Sequence, residues 1–285
     1  MPRGHLTHPT PGRIVAAPPT SAPSRRALPL TIYVSPRAAG AVEPQTPAVA
    51  TLQLARLFGK SAALAGVSLR VEAGRTVALL GANGAGKTTL LRILATAIRP
   101  SFGTAQVDGI DVAERPDEVR GRVAYLSHAT GLYDDLTAAE NLRFAAMLLG
   151  IPAAQHDERI RETLATIDLA AVAAERVRSF SAGMRKRLAL GRVLLASPTL
   201  VLLDEPHAAL DEAGMQLVDA LLAAWRETGI TTLVASHAVD RLRPFIDGSI
   251  RLESGVVAEI TGAGVEPNPE PRGAIGQPIG TGASA

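Results

Sequence analysis

Apolar and polar residues alternate early in the chain. Leu52 and Leu54, within Thr51 to Phe58, and then Val67, Leu69 and Val71 recur in period two, the spacing of half-buried strands. Thr76 to Leu80 is a short continuous apolar run leading into Gly81, which predicts a buried strand. The spacing turns helical from Lys87 to Ala97, and Val123 to Ser127 reads as a strand again. A helix is predicted to start at Thr137, because Thr137 and Glu140 have capping-box spacing, and a more polar helical stretch follows over Asp157 to Ile167. Leu200 to Leu203 and Thr231 to Ala235 read as buried strands on either side of a helix from Glu212 to Glu227. Strands alternating with helices predict an α/β fold with a mainly parallel sheet and an inserted helical region.

Composition places the boundaries of this unit. Ten of the 20 prolines fall in the first 50 residues, and residues 262–285 hold six glycines and four prolines. Such segments bury too little apolar surface to offset their ordering entropy, so both are expected to be unstructured tails. The ordered unit is expected to be a single domain over residues 51–261. The first 50 residues carry five Arg and one acid, Glu43, whereas 51–261 carry 23 basic and 24 acidic side chains. The folded unit therefore lacks the basic surplus of a nucleic-acid binder, and no nucleic-acid partner is expected. Ser24-Arg25-Arg26 before Leu28 to Val34 faintly resembles a twin-arginine signal, but Pro29 interrupts the short apolar stretch, and a disordered tail or a start codon placed too early is expected instead. The chain has no Cys, which excludes disulfides, Cys-ligated zinc and iron–sulfur clusters. No apolar run reaches the ~18–20 residues needed to span a bilayer. The stretch from Phe144 to Ala154 is too short and contains Gly150 and Pro152.

The candidate chemistry begins where the third predicted strand ends. Gly81-Ala82-Asn83-Gly84-Ala85-Gly86-Lys87-Thr88, followed by Thr89, fits G-x-x-x-x-G-K-[ST] between a strand and a helix. Glycines let the backbone curl so that its N–H groups point at phosphate oxygens, and the following helix adds its positive end. Lys87 would set a full charge between the β- and γ-phosphates, and Thr88 would offer its hydroxyl to Mg²⁺. Leu200 to Leu203 runs into Asp204-Glu205, which places two carboxylates at the carboxyl edge of the sheet. Asp204 can hold Mg²⁺, directly or through water, and Glu205 can act as general base on the attacking water. The strand from Thr231 ends in Ser236-His237, where the imidazole could donate to the γ-phosphate.

Taken together, these residues resemble the ABC (ATP-binding cassette) ATPase family. The discriminating segment is Ser179-Phe180-Ser181-Ala182-Gly183-Met184-Arg185-Lys186-Arg187, some 20 residues before Asp204, which is similar to the family's LSGGQ signature. The resemblance spans about Thr51 to Thr261. It implies a P-loop nucleotide-binding domain with a mainly parallel core sheet, an antiparallel β subdomain and an inserted helical subdomain. It further implies that Ser181 and Gly183 cover the ATP of an opposite cassette in a head-to-tail pair, expected to be a homodimer. Leu210-Asp211 takes the place of the D-loop that communicates across that pair, Phe58 that of the aromatic stacked on adenine, and His237 that of the switch histidine. ATP and Mg²⁺ are the implied cofactors. The implied partners are a second cassette and an integral membrane permease, with the chain peripheral at the cytoplasmic face of the inner membrane.

One position departs from the family pattern. The Q-loop Gln that follows the strand at Val123 to Ser127 is replaced by His128, in register with Leu136-Thr137 and Glu140-Asn141-Leu142. Imidazole is a poorer Mg²⁺ ligand than an amide oxygen, so His128 is expected to act through water or as a donor to phosphate. This departure, with Ser181-Ala182-Gly183, resembles ATPases of haem export in cytochrome c maturation. Met184 in place of Gln resembles the wider drug- and lipid-export ATPases instead. The haem-exporter type is the expected reading and the generic exporter its alternative. Soluble ABC proteins of translation carry two cassettes and those of repair a long coiled coil, and neither pattern occurs here. A phosphate-loop kinase would have no use for the signature segment.

Overall fold

The computed structural model describes residues 12–16, 30–34, 46–237 and 239–269. Two short strands come first, β1 (Gly12–Ala16) and β2 (Leu30–Val34). β3 (Val49–Phe58) and β4 (Ser61–Val71) follow, and β5 (Thr76–Leu80) leads through the phosphate loop into α1 (Lys87–Leu94). Then come β6 (Phe102–Val107), β7 (Ile110–Asp111), α2 (Pro116–Arg120) and β8 (Val123–Leu126). The inserted helices are α3 (Ala138–Leu148), α4 (Ala153–Thr166) and α5 (Ala182–Leu195). β9 (Leu200–Asp204), α6 (Glu212–Glu227), β10 (Thr231–Ala235), α7 (Val239–Leu242), β11 (Gly248–Glu253), β12 (Val256–Gly262) and β13 (Val265–Pro267) complete the order.

The core sheet has the order β12-β11-β5-β10-β9-β8, with every neighbour parallel except the β11–β12 hairpin. A separate antiparallel sheet has the order β13-β4-β3-β6-β7. Alternation explains why β9 is apolar from Leu200 to Leu203. Leu200 and Leu202 of β9 face one buried cluster, with α1 and the antiparallel sheet, while Val201 and Leu203 face the other, with the inserted helices and α6. Both faces are covered, so a polar residue has no water to reach from either side. β5 divides the same way, with Val77 and Leu79 on one side and Ala78 on the other.

Local signals behave as predicted where they are self-contained. Thr137 caps α3, its hydroxyl accepting from the Glu140 N–H at 3.1 Å while Glu140 Oε2 accepts from the Thr137 N–H at 2.8 Å. Thr137→Ala removes half of this reciprocal pair. It is expected to lower unfolding stability by about 1 kcal/mol, read as a shift of the urea midpoint at unchanged slope.

The expected domain limits need correction at both ends. β1 and β2 lie inside the stretch predicted to be unstructured, yet they pair antiparallel from Gly12↔Val34 to Ala16↔Leu30. They are held against α4: Tyr33 is buried, its hydroxyl donates to Glu162 at 2.7 Å, and the Arg159 guanidinium lies 4.0 Å from its ring centre. Arg13 reaches Glu162 at 2.8 Å. Composition alone misses this, because the stabilising partners lie more than a hundred residues downstream. At the other end, order continues past Thr261. β13 pairs with β4, and the Asn268 amide donates to Thr51 O at 2.8 Å. Residues 46–50 are described as well, with β3 starting at Val49, and the remainder of both predicted tails lies outside the described residues.

Candidate nucleotide site

β5, β9 and β10 are adjacent and parallel, with Leu79 level with Ala235 and Ala235 level with Asp204. Their carboxyl ends therefore deliver Gly81, Asp204-Glu205 and Ser236-His237 to one edge of the sheet. This is the general ligand side of an open α/β sheet. The phosphate loop needs its glycines there. Gly86 caps α1 at φ 106°, and a Cβ on it would lie 2.6 Å from Ala63 O. Gly81 has φ 140°, and a Cβ would lie 2.3 Å from Leu252 O. Lys87 is buried, and its ammonium donates to Gly81 O at 2.7 Å and Ala82 O at 3.0 Å, so it lies folded along its own loop.

A cavity of about 600 Å³ opens between this loop and the two carboxylates. Asn83 to Thr89, Phe58, His128, Asp204, Glu205 and His237 all contribute to its wall, so most of the expected site residues do converge. Gly81 and Ala82 line an adjoining cleft that also reaches His237. Thr88 Oγ1 donates to Asp204 Oδ2 at 2.9 Å. A hydroxyl and a carboxylate so placed are hard oxygen donors, and their chemistry fits Mg²⁺. Phe58 is 48% exposed, with the Arg56 guanidinium 4.8 Å from its ring centre. Ser181, Gly183 and Asp211 stand outside this wall in the single chain. Ser181 caps α5 by accepting from the Met184 N–H at 3.2 Å, and Asp211 caps α6 by accepting from the Gly214 N–H at 2.9 Å.

Glu205 sits on a sharp turn at φ 49°, a conformation a non-glycine residue adopts only under constraint. Its N–H donates to Ala235 O at 2.8 Å, and its carboxylate accepts from the His237 N–H at 3.4 Å. His237 Nε2 lies 3.3 Å from Glu205 Oε1, within ion-pair range but without hydrogen-bond geometry.

Two neighbours escaped the sequence reading. Lys186, at the start of the second turn of α5, is buried with its ammonium 3.4 Å from Asp204 O. Burial pushes its pKa down, against the pull of Asp204 and Glu205. Tyr125 of β8 has a buried hydroxyl with no partner among the described residues; burial first, and the Asp204 charge second, push it up to about 12. Lys186 lies in the basic run of the signature-like segment, where spacing assigns it no role, and Tyr125 carries no local motif. The loop that bears His128 is fixed from two sides. Asn141 accepts from the Tyr133 N–H at 2.9 Å and donates to Tyr133 O at 3.0 Å, while Arg192 of α5 donates to Thr130 O and Gly131 O.

A family profile described as ABC transporter matches residues 64–208, half of the chain, including the phosphate loop, the signature segment and Asp204-Glu205. The chain belongs to the ABC transporter ATP-binding family. As such it is an ATP-binding ABC-type ATPase. It is 36% identical over 192 residues to the ABC transporter ATP-binding protein NatA of Bacillus subtilis, covering 67% of this chain and 78% of NatA. It is 34% identical over 217 residues to the daunorubicin/doxorubicin resistance ATP-binding protein DrrA of Streptomyces peucetius, covering 76% of this chain and 66% of DrrA. The methionine import ATP-binding protein MetN of Brucella abortus is 32% identical over 75% of this chain, and the match spans 59% of MetN. Among solved structures, the ATP-binding cassette MJ0796, a dimer in a post-hydrolysis state bound to ADP and Pi, superposes with a TM-score of 0.69. Identity there is 26%, over 75% of this ABC chain and 98% of that one. No helix among the described residues is long and apolar enough to cross a membrane.

Proposed function

We propose that this chain is the engine of an ABC exporter of drug, lipid or polysaccharide type, driving a membrane permease as half of a pair of cassettes. The observation that carries the reading is the split of the site. Phosphate loop, Asp204, Glu205 and His237 meet in one cavity, while Ser181 and Gly183 stand outside it on the N-terminal turn of α5. A second cassette placed head to tail would bring its own Ser181 segment over that cavity. In hydrolysis Lys87 and the loop N–H groups hold the phosphates, Phe58 stacks on the base, and Glu205 takes a proton from water while His237 steadies the γ-phosphate. Thr88 and Asp204 would hold Mg²⁺, which neutralises developing phosphate charge when bound.

The drug-export reading is supported by Met184 within the signature and by the resistance name carried by the DrrA relatives. Exposed Met147, Leu148 and Leu149, beside the groove lined by Arg192, offer an apolar surface on which a permease can seat. Haem export in cytochrome c maturation is the second reading, favoured by His128 at the cavity wall and by Ser181-Ala182-Gly183. The matched relatives are named for drug resistance and methionine import, which is why it stands second. Isolating the membrane partner that co-purifies with the full chain decides between them. A partner with a haem Soret band selects the second reading, and a haem-free partner whose presence raises ATPase activity selects the first. If Glu205→Gln protein stays monomeric at saturating ATP, the paired-cassette mechanism is wrong.

A further inference from the structure

One cluster of charged side chains lies behind the site and takes no part in the chemistry above. His207, two residues past Glu205, is only 8% exposed, and its Nε2 lies 2.9 Å from Asp219 Oδ1. Arg241, four residues past His237, donates to the same carboxylate from Nε at 2.9 Å to Oδ2, with its Nη2 in ion-pair range 2.7 Å from that oxygen, and Nη2 also donates to Glu212 Oε1 at 3.2 Å. Glu212 and Asp219 stand two turns apart on one face of α6, which is anchored in the core by buried Val218, Leu221 and Leu222. Burial works against ionising Asp219, yet the hydrogen bonds from His207 and Arg241 outweigh it and hold the carboxyl below its usual range. An ionised Asp219 only accepts, so His207 Nε2 carries the proton.

The connectivity is what matters. The segment after β9 carries Glu205 and then His207, and the segment after β10 carries His237 and then Arg241. These segments meet once where Glu205 and His237 approach to 3.3 Å, and again where His207 and Arg241 grip one carboxylate of a rigid helix. Glu205 is also held at φ 49°, and such a turn persists only when its surroundings over-determine it. We propose that His207, Asp219 and Arg241 form a brace that sets the spacing between Glu205 and His237, making all three positioning residues for hydrolysis. The inference rests on the assignment of hydrolysis to Glu205 and His237.

The test uses the full chain and compares ATPase kinetics, ATP affinity and melting temperature. Arg241→Ala is expected to lower kcat about 10-fold with KM altered less than about twofold, because groups that bind ATP are untouched and only the aim of the reacting ones is lost. Arg241→Lys should recover part of kcat, and Asp219→Asn should behave like Arg241→Ala. In a His237→Ala background, adding Arg241→Ala should cost little more, since the spacing it serves is already gone. A native kcat in Arg241→Ala overturns the brace, as does a loss that is equally large in both backgrounds. A fall in kcat that comes with a matching rise in KM and a lower melting temperature overturns it too, by showing a general structural role. Glu205→Gln is measured alongside. If it turns over ATP normally, the site assignment fails; if it is dead while Arg241→Ala is native, only the brace fails.

Discussion

Glu205→Gln is expected to cut ATP turnover about 10³-fold while leaving ATP bound, within the range that removal of a general base produces. The side chain keeps its length and its acceptor oxygen, so the contact from the His237 N–H and the bond from the Glu205 N–H to Ala235 O both survive. The backbone at φ 49° is as tolerable to Gln as to Glu. What disappears is the capacity to accept a proton from water. Lys87, the loop N–H groups and Phe58 are unaltered, so affinity should hold. Single-turnover hydrolysis measured beside nucleotide retention on a filter separates the two quantities. Loss of both together would mean that Glu205 holds the site in shape rather than doing its chemistry.

Lys87→Ala should act in the opposite way, weakening ATP binding about 100-fold, the effect of losing one strong charge-assisted bond to phosphate. The ammonium is buried beside its own loop, bonded to Gly81 O and Ala82 O, and a phosphate chain lying in the cradle would compete with those carbonyls for it. Among the described residues, removing it takes the only Lys from the cavity wall while the curl set by Gly81 and Gly86 remains. Fluorescence titration with a labelled ATP analogue reads the change. An unaltered dissociation constant would show that backbone N–H groups alone carry binding. A collapse of the melting temperature in the nucleotide-free protein would show that Lys87 is chiefly a structural clamp.

The parts of this molecule legible in the sequence are those whose causes are local. Strand, glycine loop and helix from Thr76 to Leu94 form one continuous unit, and the spacing of Gly86, Lys87 and Thr88 between strand and helix makes it readable. The same is true of β9 with Asp204-Glu205, and of the Thr137 cap. Elements whose stability comes from distant pairing were not seen. β6 packs a glycine at φ 73° against Gln53, itself at φ 48°, in a bulged register that breaks the period-two pattern of β3. β11 and β12 form a hairpin at the edge of the core sheet, and most of the outward positions of β12 are exposed. His207 and Tyr125 look like ordinary residues in the sequence, and Lys186 looks like one more cation of the basic run after Gly183. Their character comes from what the sheet and helices bury around them, which no spacing rule encodes. The unstructured-tail expectation failed at Tyr33 for a related reason: proline content describes a segment's own economy and says nothing of a distant helix that offers Glu162 and Arg159.

That contact has a practical consequence. β2 is fastened to α4, in the inserted helices, and not to either large sheet. A spectroscopic probe attached near Thr31 would therefore travel with those helices. Paired with a second probe on the antiparallel sheet, for instance at Ser68, it would convert any rotation between the two into a change of distance, letting the nucleotide cycle be followed without labelling residues near the phosphate loop.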